Sequence, residues 1–292
     1  MVRAVRVRGV IAVLAAGLML GGQQALPAGA STHHPTGNYV QFVDCPLATI
    51  QIDNCIFAMV DGGAVVVGRK TVPISGRVTV QGGFYEAPAG NGLVFVGAES
   101  GNTLSASQIS IPGGLTGIIA AGSLPLSLQA QLKTSPTAVT MTMQLAKPAS
   151  AIVLNTENFL FEEGIALQLP LKIKLNNQFL GNNCYLGSPS NPLTLSLTTG
   201  TTSPPPPNKP IKGWSGIFGE KDGFRFLSLT NAILVDNSFA APQATGCGGV
   251  NAPLINHALD AAIGLPSTTG HNAAILNDTF DIAATSAVHE SE

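Results

Sequence analysis

Leu167-Gln168-Leu169-Pro170-Leu171-Lys172-Ile173-Lys174-Leu175 is the stretch on which the reading of the chain turns. Every second residue is a large aliphatic one, and Gln168, Lys172 and Lys174 stand between. A period of two sets a wall of hydrocarbon against a polar wall, the pattern of a half-buried strand. The same pattern lies on either side. Leu193, Leu195 and Leu197 follow it downstream, and Val139, Met141, Met143 and Leu145 alternate with Thr140, Thr142 and Gln144 upstream. Leu124, Leu126, Leu128, Ala130 and Leu132 alternate with Pro125, Ser127, Gln129 and Gln131, which predicts another strand, turned into the next by Lys133-Thr134-Ser135-Pro136. Residues 124–128 and 169–173 both open Leu-Pro-Leu, a weak hint of a duplicated strand unit, since two short matches arise easily by chance in a leucine-rich chain.

Farther out, short strands are expected at Ala64–Val67, Gly76–Gln81, Leu93–Gly97, Phe224–Leu229 and Ala232–Val235, with Gly62-Gly63, Gly82-Gly83 and Gly90-Asn91-Gly92 as turns. One stretch has helical spacing. Leu254, Ile255, Ala258, Leu259, Ala262 and Ile263 form a stripe, Asn251 can cap its start, and Gly264 with Pro266 can stop it. The expected fold is mainly β, an antiparallel β-sandwich or partly closed barrel with one short C-terminal helix. Residues 109–132 contain no charge and read as core, with a lipid- or partner-facing patch as the alternative.

The first thirty residues read as a signal peptide: Arg3, Arg6 and Arg8, an apolar run from Val10 to Leu20, then Ala28-Gly29-Ala30 at the cleavage site. Residues 31–292 then form one secreted β-rich domain, with a proline-rich loop at 201–210 and a polar C-terminal tail. Cleavage removes three arginines and no acid, so 14 basic residues become 11 against 16 acidic ones, and the charge moves from −2 to −5. An acidic chain without Lys/Arg clusters lacks the footprint of a nucleic-acid binder. In an exported chain the four cysteines, Cys45, Cys55, Cys184 and Cys247, read as two disulfides. Of three possible pairings, Cys45 with Cys55 and Cys184 with Cys247 is favoured, because Asp53-Asn54 allows a turn inside the first pair.

The segments Asn183-Cys184-Tyr185-Leu186-Gly187-Ser188, Pro204–Pro210, Val235–Phe239, Gly246-Cys247-Gly248-Gly249 and Gly264–Ser267 cover roughly the C-terminal third. There the chain resembles uncharacterised secreted proteins of actinomycete bacteria, a resemblance that implies export and source but no activity.

Chemistry-bearing residues are few. Gly213-Trp214-Ser215-Gly216 lacks the G-x-S-x-G spacing of a nucleophile elbow. His257 and Asp260 sit one helical turn apart and read as a solvated helix face, and His271 and His289 have no motif linking them to a serine. Glu86, Glu99, Glu157, Glu162, Glu163 and Glu220 are candidates for a glycosidase pair, but aromatic residues at 5% offer few stacking platforms. One metal motif is present. If Ser31 is the mature N-terminus, Ser31-Thr32-His33 offers amine, amides and imidazole to Cu(II) or Ni(II). No cofactor is expected. The sequence therefore reads as a secreted, disulfide-stabilised protein of the cell envelope or extracellular space, acting by binding or packing, with no partner identified and oligomers allowed. An apolar-ligand carrier, an envelope pore and a secreted hydrolase are the alternatives.

Overall fold

The structure is a computed structural model that describes residues 33–49, 52–90 and 92–292. The expected signal peptide, with Ser31 and Thr32, lies outside the described residues.

The strands in chain order are β1 (Asn54–Val67), β2 (Lys70–Pro73), β3 (Val78–Glu86), β4 (Leu93–Gly97), β5 (Leu104–Ala106), β6 (Ile109–Ser110), β7 (Thr140–Leu145) and β8 (Val153–Leu154). They continue as β9 (Leu167–Asn176), β10 (Tyr185–Leu186), β11 (Leu193–Leu197), β12 (Ile217–Lys221), β13 (Phe226–Asp236), β14 (Ala244–Thr245) and β15 (Ala273–Ala284). Four α-helices accompany them: α1 (Leu126–Thr134), α2 (Thr156–Phe161), α3 (Ala252–Ile263) and α4 (Thr285–Glu290).

One sheet runs β12-β13-β15-β1-β3-β4, with β2 also on β1 and β5 also on β3. The other runs β14-β10-β9-β7-β6, with β8 and β11 also on β9. All pairings are antiparallel. The sheets pack face to face as an open sandwich, bridged at Thr198↔Val235.

The opening stretch is β9, the centre of the smaller sheet. Its Leu167, Leu169, Leu171, Ile173 and Leu175 are all buried, opposite Ile56, Ala58, Val78 and Val80 of the larger sheet. The charge-free stretch is core as expected: Ile109, Leu115, Ile118, Leu124, Leu128 and Leu132 are buried.

Three expectations fail. Gly62-Gly63 and Gly82-Gly83 are not turns but lie inside the paired strands β1 and β3. Residues 124–132 are not a strand but lead into α1, so the hairpin turn at Lys133–Pro136 is absent and the two Leu-Pro-Leu segments are not copies. Leu124, Leu128 and Leu132 also lie four apart, so one face of a helix buries them, while Leu126 is 82% exposed. Pro125 suits a helix start, and the Leu, Gln, Ala and Lys that follow favour helix. By contrast β9 carries β-branched Ile173 and has strand partners on both sides. The end of the chain is not a polar tail either. β15 inserts between β13 and β1, burying Ala274, Leu276 and Phe280, and α4 follows it.

α3 matches the expected helix in extent and buries Ile255, Ala258, Leu259 and Ile263, with Gly264 (φ 82°) ending it. Leu254 is outside the stripe, 44% exposed, and Asn251 occupies the cap position without a side-chain capping bond. A second small core covers the outer face of the larger sheet, where Tyr39, Phe42, Phe226, Ala283 and Val288 surround the Cys45–Cys55 disulfide. The proline-rich loop is pinned. Asn208 donates to the carbonyls of Asn237 (2.9 Å) and Asn272 (2.8 Å), and Asn237 donates to that of Lys209 (2.8 Å).

Candidate functional site

Asn155 accepts the amide of Asn158 (2.9 Å) and starts α2; Glu162, in the left-handed region at φ 58°, ends it. Phe159 anchors this short helix, stacking on Phe280 of β15 with ring centres 4.4 Å apart. Its next two residues face outward: Leu160 is 39% and Phe161 72% exposed. Glu162 ties the helix to the segment before β12. Its carboxylate accepts the amide and hydroxyl of Ser215 (3.2 and 3.3 Å) and pairs with Lys212 (3.1 Å).

This brings β12 beside α2. β12 is the outermost strand of its sheet, and all five of its residues are exposed. Phe218 and Leu160 line one shallow crevice with Leu227 and Ile282. With Trp214, Ile217 and Phe161, all exposed, they form an apolar margin along an open strand edge. Such edges are ordinarily blunted by charge, proline or cover; here Glu220 and Lys221 charge the far end of β12, and the Ile217-Phe218 end is left apolar. On the other side of α2 a surface groove of about 610 Å³ runs between β3–β4 and β8.

The favoured disulfides are present, Cys45–Cys55 and Cys184–Cys247. His33 lies between two carboxylates, Nε2 3.1 Å from Glu99 and Nδ1 2.5 Å from Glu292, so its ring ties the start of the described chain to its end. Asp260 is not part of a solvated face: it accepts the amide of Ala244 (2.8 Å) and docks β14 on α3, while His257 is exposed. Ser215 spends both donors on Glu162. That carboxylate is held below its usual range by the Ser215 amide first and then by Lys212, so it is a poor proton acceptor and serves as an anchor. Glu86 and Glu157 both line the groove, without an aromatic platform.

Sequence reasoning missed Asp278. It points between the sheets into a void of about 30 Å³ walled by Leu, Val, Ile, Ala and Met. The signal was partial: Ala274, Leu276 and Phe280 share its face in period two, but that this face is the buried one depends on the partners β1 and β13. The void has room for one or two waters, far short of an apolar cargo.

Comparisons with models of known families, with curated proteins and with solved structures found no match. The class is therefore set by the structure: a disulfide-bonded open β-sandwich with one apolar strand edge.

Proposed function

We propose that the protein is exported and works by binding, and that β12 with the end of α2 takes an extended polypeptide segment as an added strand. The observation that carries this is the free outer side of β12, flanked by Trp214, Ile217 and Phe218. Only another extended backbone matches a row of strand amides and carbonyls, and alternating apolar side chains beside it supply the area. Export is supported by the two disulfides. No helix among the described residues is long and apolar enough to cross a membrane.

A displayed library of random linear peptides, panned on the full chain, tests the reading. Enriched peptides are expected to alternate apolar residues and to lose binding to Phe218→Lys and Ile217→Lys, both solvent-facing substitutions that the fold tolerates. Equal enrichment on all three proteins overturns the assignment. Concentration-dependent dimers of the free chain that Phe218→Lys abolishes would replace the peptide with a second copy of the protein.

A further inference from the structure

The centre of the larger sheet carries an acid where packing calls for a hydrocarbon. Asp278 is 4% exposed, and its Oδ1 has no hydrogen-bond partner among the described residues. Leaving such an atom unpaired is costly. The backbone around it is interrupted on both sides. Asp278 pairs with Val60 of β1 and Ala232 of β13, and each of those strands bulges there, between Val60 and Gly62 and between Leu229 and Ala232. Asn231, inside the second bulge, is left-handed at φ 58°. At Gly63 (φ 102°) a side chain would come within 2.0 Å of the Ile275 carbonyl, so this course of β1 requires glycine. Two bulges flanking one residue make this the place where the ladder is least continuous.

We propose that Asp278 is a proton-operated latch. With its carboxyl neutral the two sheets close over it; with its carboxyl ionised the ladder parts at the paired bulges and water enters between the sheets. Apart from the backbone amides of Met59 and Thr279, the surroundings offer an anion little relief. β3, β5, β7, β9, β11 and β13 present only Val, Leu and Met to the void, and β1 adds Ala58 and Val60. The charges acting on it, Asp61 on β1 and Asp281 on its own strand, are both negative. Burial first, then these two acids, raise it from 3.8 to about 7 against the pull of the Met59 and Thr279 amides. The folded state therefore holds a proton that the unfolded chain releases. The stability this confers is fully present below the ordinary carboxylate range and is lost as pH rises from about 4 to about 7. The void already holds space for the first water.

The test is a pH series on the full chain and on Asp278→Asn, a neutral isostere. The folding constant of the wild type, taken relative to the variant, is expected to fall by up to roughly tenfold per pH unit across that window. Opening free energies from hydrogen exchange should drop further at amides beside Gly62 and Asn231 than in β9, whose core amides follow only the global folding constant. Equal slopes in the two proteins overturn the proposal. Should the variant fail to fold, the Asp278 carboxyl carbon followed by NMR in the wild type decides: a midpoint near neutrality, with the selective loss of protection, supports the latch, and one in the ordinary carboxylate range ends it.

Discussion

Asn272 is 1% exposed and spends its side chain on three backbone groups: it accepts the Gly68 amide (2.8 Å) and donates to the carbonyls of Phe239 (2.9 Å) and Thr268 (3.1 Å). Its own carbonyl receives Asn208 from the proline-rich loop. Truncation leaves these groups buried and unpaired, so Asn272→Ala is expected to cost about 3 kcal/mol or more, seen as a lower denaturation midpoint at unchanged slope. Tyr39 works at the same scale. Its hydroxyl donates to Asp222 (2.7 Å), and burial first, then that hydrogen bond, pushes it up to about 12. Because the unfolded tyrosine ionises near 10, this contribution is complete below pH 10 and is lost as pH climbs toward 12. An ultraviolet titration should show one of the three tyrosines ionising late, and Tyr39→Phe should remove that phase.

At the scale of elements, α1 offers the sharpest contrast. In a strand, Leu126 and Leu128 would share a face; in the helix Leu128 is 5% and Leu126 82% exposed. Leu128→Ala is expected to cost about 2–5 kcal/mol and Leu126→Ala less than about 0.5, measured by chemical denaturation. Alternation alone could not separate these cases, because leucines at every second position also satisfy a spacing of four. Where neighbours pair on both sides, as along β9, the same pattern meant what it said. β15 was illegible for a different reason. Asn277, Asp278, Thr279 and Asp281 lower its apparent hydrophobicity, and only the partners β1 and β13, distant in sequence, make Ala274, Leu276 and Phe280 a core face. The candidate site was legible in pieces. Glu162 and Ser215 each stood out separately as candidates, but nothing local announces that Glu162 reaches Ser215 and brings α2 to the strand edge.

Across the whole molecule, the two disulfides close loops of very different size, with sequence separations of 10 and 63. On the chain-entropy argument they contribute about 3 and about 4 kcal/mol. Thermal scans with and without reductant should show a large drop in melting temperature, most of it reproduced by Cys184→Ser/Cys247→Ser. The charge balance sets a second global trend. Burial is the first cause raising Asp236, Asp260 and Asp281 as well as Asp278, whereas Glu162 is lowered. Most shifted carboxylates thus favour the folded state in acid, and stability is expected to decline from mildly acidic toward neutral pH.

The place of β15 bears on when this protein can fold. β1 emerges early in synthesis, yet its main ladder pairs Ile56 with Ile282, and β13 waits for the same strand. A ribosome delivers β15 after every other described strand, so the larger sheet stays split until translation has passed it. A chain that cannot lock its largest sheet before β15 arrives keeps one edge of β1 and one of β13 unpaired in the meantime.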